Sequence, residues 1–417
     1  MSEERAILAG AGERRHMAEL GRLATTLGIE VAGVLEQGRR DGTGYLGRGK
    51  REQLRELAEE TGARFVIADD ELTASQARVL EKACGVSVVD RTELIIRIFE
   101  AHARDAASRL EVELADLEYR LPRVKGKNPE LSRLGGGGVT TRGPGEQQLE
   151  YDRRVIRERM ATINRKLQEE KAGRAVRGAR LREEGPPTVA LVGYTNAGKT
   201  TILNALSGAR RSTKDMLFET LETTTRLVEG SRKNGPDGMW PDFVVTDTVG
   251  FIRKLPTQLV HSFASTLEVA RDSDVTVVCA DASSEELEEE IQTVTRSLRS
   301  LYGRNEDDGV GTGPMVMCLN KMDLVSQTRA AELRRDHPHA VEISAIRDSG
   351  ALLEEIYRAI ASRRERMRVF IPHAEYAVAS RLYGLAEIHA QETSESGLWM
   401  DVSLPHSALG RYASYRV

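Results

Sequence analysis

Short apolar runs separated by polar stretches fill the first hundred residues, and Ala6–Ala9, Ile29–Leu35, Arg64–Ala68 and Val86–Val89 read as strands. Polar windows of helical character lie between them, clearest over Lys50–Glu60 and Thr73–Ala83. This β–α alternation predicts a small parallel α/β layer. From about residue 105 the period lengthens. Leu110, Leu114, Leu117 and Leu121 share one helical spacing, and Ile156, Met160, Ile163 and Leu167 repeat it. Both are narrow seams of the kind two helices bury against each other. The stretch Gly135-Gly136-Gly137-Gly138-Val139-Thr140-Thr141-Arg142-Gly143-Pro144-Gly145-Glu146 separates them. No helix interior tolerates that glycine content, so the pattern predicts an antiparallel helical hairpin with a glycine-rich tip.

Glu183–Pro187 reads as a linker, after which buried β runs return at Val189–Val192, Phe243–Val245, Val275–Ala280 and Met315–Leu319. Each is followed by a turn and a polar helical window, the pattern of a doubly wound sheet. Beyond Arg366 the strand-like Val369–Ile371 and Leu398–Leu404 predict a small α+β module. The expected fold is α/β in four segments: an N-terminal parallel α/β layer (1–104), the hairpin (105–185), a doubly wound domain (186–366) and the C-terminal module (367–417). A length of 417 residues accommodates that many.

Composition narrows the classes. Three cysteines, Cys84, Cys279 and Cys318, with no C-x-x-C spacing exclude a disulfide scaffold and a thiolate zinc site. No run of 18 apolar residues occurs, so no membrane-spanning helix is expected. Ala6–Gly12 is apolar but hemmed by Glu3, Glu4, Arg5 and Glu13, unlike a signal peptide. A cytoplasmic location follows, with peripheral membrane association left open. Net charge is −4, which argues against a uniformly basic nucleic-acid binder. The charge is unevenly spread, however. Arg120–Arg182 holds 17 Lys and Arg against 7 Asp and Glu, a net of +10 that leaves −14 for the remainder. One basic element reaching for a polyanion from an acidic body is one reading; a solvated hairpin surface is the other.

The chemistry is concentrated in the third segment. Gly193-Tyr194-Thr195-Asn196-Ala197-Gly198-Lys199-Thr200 follows a strand and opens a helix, the context that G-x-x-x-x-G-K-[ST] requires. Main-chain N–H groups wrap phosphates there, Lys199 supplies a point charge between β- and γ-phosphates, and the Thr200 hydroxyl is a Mg²⁺ ligand. Asp247-Thr248-Val249-Gly250 ends the next strand. Its Asp247 holds Mg²⁺ through water, and the Gly250 N–H senses the γ-phosphate. Asn320-Lys321-Met322-Asp323 follows a further strand. The Asp323 carboxylate accepts from guanine N1–H and its 2-amino group, whereas adenine would leave it unpaired. Ser344-Ala345-Ile346 offers main-chain donors to guanine O6. Four such elements in this order select GTP. A threonine from Phe218-Glu219-Thr220-Leu221-Glu222-Thr223-Thr224-Thr225-Arg226 should also reach Mg²⁺, but spacing does not choose among its four threonines. Phe251 stands where many GTPases carry a water-orienting glutamine, and a phenyl ring lacks the polar atoms for that task. A hydrophobic anchor is the better reading, with slow hydrolysis until a partner repositions the loop. The Gly44-Tyr45-Leu46-Gly47-Arg48-Gly49-Lys50 turn lacks full phosphate-loop spacing and reads first as turn chemistry.

Over nearly its whole length the sequence resembles the HflX family of ribosome-associated GTPases. The resemblance rests on Tyr45-Leu46-Gly47-Arg48-Gly49-Lys50, Asp70-Glu71-Leu72-Thr73-Ala74-Ser75-Gln76, Asp90-Arg91-Thr92-Glu93-Leu94-Ile95 and Leu110-Glu111-Val112-Glu113-Leu114-Ala115. It continues through Arg142-Gly143-Pro144-Gly145-Glu146, Phe218–Arg226 and Asp247-Thr248-Val249-Gly250-Phe251-Ile252. The family's F-x-T-L-D switch reads Phe218-Glu219-Thr220-Leu221-Glu222 here, which implies Thr220 as the second Mg²⁺ ligand, with Glu222 in place of aspartate. Two further departures are a longer glycine tip and Gln147-Gln148 after Glu146, where Thr-Gln is usual. The resemblance implies GTP/GDP and Mg²⁺ as cofactors, and Lys199, Thr220 and Gly250 as the catalytic set. It also implies binding of the large ribosomal subunit and its rRNA, without DNA specificity, and the splitting of stalled or idle ribosomes; the two narrow seams are satisfied by the hairpin folding on itself, so a monomer is expected. Arg123, Lys125, Lys127, Arg133, Arg142, Arg153, Arg154 and Arg157 are then the candidate RNA contacts. Two other functions compete: a nucleotide-dependent RNA-remodelling enzyme of helicase type, and a GTP-gated ribosome assembly or anti-association factor.

Overall fold

The computed structural model describes residues 4–12, 16–124, 144–208, 224–230, 242–254, 269–302 and 313–417. They fall into two compact units: Met1–Glu170 with Asp215–Leu221 and Lys254–Ala264, and Lys171–Lys214 with Glu222–Arg253 and Ser265–Val417.

The first unit is built on β1 (Arg5–Ala11), β2 (Glu30–Gln37), β3 (Phe65–Ala68) and β4 (Ser87–Asp90), all parallel, in the order β2-β1-β3-β4. Ala6–Ala11 is buried throughout, as a central parallel strand covered on both faces must be. The crossovers are α1 (Met17–Thr26), α2 (Arg48–Thr61) and α3 (Ala74–Cys84), with α4 (Arg91–His102) and α5 (Ala106–Arg120) following β4. Their starts are written in the sequence. Thr73 and Gln76 form a capping box on α3, Asp90 accepts from the Glu93 N–H, and Asp105 accepts from the Ser108 N–H. The helix α6 spans Pro144–Glu184, and its Arg159 makes a two-pronged bond at 2.6 and 2.7 Å to Glu113 of α5. Leu114 and Ile163 of the two predicted seams are buried, while Val112, Ala115 and Tyr119 widen the buried face of α5. The hairpin tip at 125–143, with Lys125, Lys127, Arg133 and Arg142, lies outside the described residues.

The Gly44–Lys50 turn has a specific structural use. The N–H groups of Thr43 and Gly44 both donate to the Asp41 carboxylate, that of Tyr45 to the Asp41 carbonyl, that of Leu46 to the Gly44 carbonyl and that of Gly47 to Gln37 Oε1. Five consecutive donors are therefore satisfied inside the protein.

In the second unit, β5 (Thr188–Gly193), β6 (Thr224–Val228), β7 (Phe243–Asp247), β8 (Val275–Asp281), β9 (Met315–Asn320) and β10 (Val341–Glu342) form one sheet in the order β10-β9-β8-β5-β7-β6. Only β6 runs antiparallel. It takes in Thr224, Thr225 and Arg226, so the part of the predicted loop from Thr224 onward is strand instead. The four buried runs expected here are β5, β7, β8 and β9. Its helices include α7 (Lys199–Ser207), α8 (Leu287–Tyr302), α9 (Gln327–Asp336) and α10 (Gly350–Ser362). Their apolar faces and the strands share a core that includes Leu191, Ile202, Phe243, Val277, Cys318 and Ile356. The C-terminal module is a three-stranded antiparallel sheet, β11 (Arg364–Pro372), β12 (Glu387–Thr393) and β13 (Gly397–Pro405), in the order β11-β13-β12. Met367, Val369, Met400 and Val402 point from it into a core shared with Leu382 of α11 (Tyr376–Leu385) and Tyr412 of α12 (His406–Tyr412). Among the described residues no helix is long and apolar enough to cross a membrane.

Candidate functional site

The site lies at the carboxyl ends of β5, β7 and β9, where a parallel sheet opens a crevice. Gly193 closes β5 because nothing larger fits: a Cβ there would lie 2.2 Å from the Cys279 carbonyl oxygen. Asn196 (φ 64) and Gly198 (φ 86) take left-handed backbone and bend the loop back on itself. Successive N–H groups in such a bend converge on an anion, and the first turn of α7 adds donors that have no partner within the helix.

Lys199 is buried beneath this loop, its ammonium donating to the carbonyls of Gly193 at 3.2 Å and Tyr194 at 2.9 Å. Burial pushes its pKa below the usual lysine value, while Asp247 and Cys279 oppose the shift. The Thr200 hydroxyl donates to Asp247 Oδ2 at 2.7 Å. A hydroxyl and a fully buried carboxylate meeting beside a phosphate cradle are hard oxygen donors of the kind Mg²⁺ takes. Phe218, Glu219, Thr220, Leu221 and Glu222 lie outside the described residues.

Gly250 packs against the phosphate loop: a Cβ on it would stand 2.9 Å from Thr195 Cγ2 and 3.0 Å from Lys199 Nζ. Phe251 continues this contact as a parallel bridge, its N–H donating to the Gly193 carbonyl at 3.0 Å and its carbonyl accepting from the Thr195 N–H at 2.7 Å. The Phe251 residue is 3% exposed, so the ring anchors the segment. Tyr194 adds a further tie, its hydroxyl accepting from the Arg253 N–H at 2.7 Å. Thr248 turns away from the crevice, its hydroxyl donating to the Leu191 carbonyl.

The third group of residues braces the loop and presents a carboxylate. Asn320 donates from Nδ2 to the Ala197 carbonyl at 3.0 Å and accepts on Oδ1 from the Ala345 N–H at 3.0 Å. One amide therefore staples the phosphate loop to the Ser344–Ile346 loop. Asp323 accepts from the Ser344 hydroxyl at 2.7 Å, and that bond is the first cause holding its carboxyl below the ordinary aspartate range. Lys321, in left-handed backbone (φ 63), pairs with Asp281 at 2.7 Å. The Met322 side chain joins the core around Leu287 and Leu333 instead of facing the crevice, and Ile346 is exposed. Asp281 and the Tyr194–Arg253 tie were not expected from sequence. Only their positions, one at the end of a buried strand and one in the phosphate loop, hinted at them.

Three family models match consecutive parts of the chain. They are described as GTP-binding GTPase N-terminal (residues 14–100), GTP-binding GTPase Middle Region (102–180) and 50S ribosome-binding GTPase (188–321). A protein named GTPase HflX from Caldanaerobacter subterraneus subsp. tengcongensis is 40% identical, the match covering 94% of this chain and 88% of that protein. GTPase HflX of Alkalihalophilus pseudofirmus is 38% identical over 91% of this chain and 86% of its own. Among solved structures, a GTP-binding protein from Sulfolobus solfataricus in complex with GDP is 22% identical, with a TM-score of 0.44 over 86% of this chain and 99% of that one.

Proposed function

The chain belongs to the HflX family of GTPases, and on that premise we propose that it is a GTP-gated factor acting on the large ribosomal subunit to split stalled or idle ribosomes. The observation that carries the nucleotide reading is the Asn320 brace, which ties the phosphate loop at Ala197 to the base-reading loop at Ala345. A base and its phosphates are thereby recognised by one connected constellation.

In this reading Gly193–Thr200 wraps the phosphates and Lys199 bonds the β- and γ-phosphate oxygens. Asp323 accepts from the guanine edge while Ser344–Ile346 faces its O6. Thr200 would hold Mg²⁺ directly and Asp247 would hold it through water, with Thr220 as the second protein ligand; the ion would supply positive charge against the phosphates. The Gly250 N–H reports whether a γ-phosphate is present. Phe251 offers no polar group to orient the attacking water, so the isolated protein turns over slowly and a partner accelerates it. The four-segment organisation gives the 105–185 hairpin the role of output arm. The +10 net charge of its Arg120–Arg182 part suits contacts to rRNA phosphates. The printed description of the family model over 188–321, a 50S ribosome-binding GTPase, supports the same partner. The protein acts as a cytoplasmic monomer.

GTP turnover measured with and without purified large ribosomal subunits, at two salt concentrations, tests this. Strong stimulation that weakens at higher salt is the expected result. Stimulation by free RNA in place of subunits would instead favour the RNA-remodelling activity. Splitting that proceeds fully with a non-hydrolysable analogue would make hydrolysis a release step, as in the assembly-factor reading.

A further inference from the structure

Within the second unit, β7 runs into the segment Asp247–Arg253, whose last member is a buried arginine. Nη1 of Arg253 pairs with Glu286 at 2.8 Å and Nη2 with Glu289 at 3.1 Å, while its N–H donates to the Tyr194 hydroxyl at 2.7 Å. Both carboxylates come from the start of α8. The Glu286 carbonyl accepts the Glu290 N–H at 3.0 Å, and Glu289 lies in the first turn. Their acidic neighbours are engaged elsewhere, Glu290 with the Ser284 hydroxyl at 2.8 Å and Glu288 with His337 at 2.7 Å.

The two sides of this contact differ in what they need. Carboxylates at a helix N-terminus are stabilised by the free N–H groups and the dipole there. Glu286 and Glu289 are also half exposed, so water solvates them when no cation is near. The Arg253 side chain is 7% exposed and has no such alternative. A guanidinium stripped of its counter-charges leaves a buried place and draws its segment with it. The acidic turn is therefore a preformed receptor, and Arg253 is what docks in it. Three residues earlier Gly250 stands against Thr195 and Lys199, and between them Phe251 exchanges two backbone bonds with the phosphate loop. Those bonds fix the middle of the segment, and Arg253 fixes its end.

We infer that Arg253 is a positioning residue for γ-phosphate recognition: docked on Glu286 and Glu289 at the start of α8, it fixes the end of the Gly250–Arg253 segment and so keeps the Gly250 N–H at the phosphate loop. The first turn of α8, which carries none of the nucleotide motifs, thereby takes part in telling GTP from GDP. The inference rests on the role given to Gly250 above. GDP makes no demand on the Gly250 N–H, so loss of the anchor weakens GTP selectively. Damage to the phosphate loop or to the base contacts would weaken both nucleotides alike.

The test compares binding of GDP and of a non-hydrolysable GTP analogue, each fluorescently labelled, to the full-length protein. Arg253→Met is expected to weaken the analogue by about tenfold, the size of one charge-assisted contact, and GDP by less than about twofold. Arg253→Lys keeps the charge but not the fork that meets two carboxylates, and should restore part of the ratio. Glu286→Gln combined with Glu289→Gln should reproduce the loss, and adding Arg253→Met to that pair should change the ratio no further. Urea unfolding accompanies each measurement; should Arg253→Met fail to fold, the pair of half-exposed glutamate substitutions carries the test alone. Folded variants with an unchanged analogue-to-GDP ratio overturn the inference, as does full additivity of the substitutions. A wild-type chain that binds neither nucleotide would instead overturn the GTPase site assignment itself.

Discussion

Two turns of similar composition follow strands of parallel sheets in this molecule, and they do opposite things with their backbone. Gly44–Lys50 and Gly193–Thr200 each contain glycines, each open a helix, and each include a non-glycine residue in left-handed backbone, Tyr45 at φ 65 and Asn196 at φ 64. In the first turn, the Asp41 carboxylate takes the N–H groups of Thr43 and Gly44. The anion is therefore part of the chain. In the second, the cation is internal: Lys199 lies buried under the loop and is held by two loop carbonyls, with Gly250 against its ammonium. A buried ammonium with only neutral carbonyls as direct partners calls for an anion in a way that a satisfied turn does not. Glycine content does not separate these cases; the position of the charge does.

The largest effect that would break this contrast comes from paired lysine substitutions. Lys199→Met should lower GTP turnover by about 100- to 1,000-fold, the range seen when one preorganised phosphate or oxyanion contact is lost. Lys50→Met, in the turn whose Thr43–Gly47 donors are already satisfied, should leave GTP affinity and turnover within about twofold. Steady-state kinetics of both variants decide it, and equal losses would mean that both turns hold phosphate. A smaller effect is expected at the base. Asp323→Asn should weaken GTP by about tenfold or more and raise the affinity for xanthine nucleotides, which carry a carbonyl at position 2. Competition binding with both triphosphates reads this directly, and unchanged guanine selectivity would remove Asp323 from the base contact.

The sequence exposed these features unevenly, for physical reasons. β1, β5, β8 and β9 were legible because strands covered on both faces are apolar at nearly every position. The helices α1 and α4 are masked in the sequence pattern, since Glu19, Arg91 and Thr92 sit on their buried sides and blur the apolar period. Ion pairing, invisible along a sequence, is what makes burial of Arg91 and Glu19 tolerable. β6 is an edge strand with alternating exposure and few apolar residues, so Thr224–Arg226 read as loop. In the site, the motifs named the residues but not their partners. Asn320 was expected to touch nucleotide, yet its amide is spent on Ala197 and Ala345, and the Met322 side chain goes to the core.

The smallest predicted effect sharpens how the carboxylate proposed to read the base is kept ready. Asp323 is partly buried, and its carboxyl lies below the ordinary range first because the Ser344 hydroxyl donates to it at 2.7 Å. Guanine recognition needs the ionised form, which accepts from two donors at once. A carboxyl with a lowered pKa stays ionised as pH falls past the usual aspartate value, and binding is lost only on passing through the lowered one. Ser344→Ala removes the bond and lets the pKa rise, so the acid loss of nucleotide binding should begin at a higher pH, with affinity near neutrality little changed. GDP affinity followed from neutral to acid pH in both proteins measures the displacement. An unmoved acid limb would mean that another group sets the titration. A large loss already at neutral pH would mean that Ser344 contacts the nucleotide itself and does more than tune Asp323.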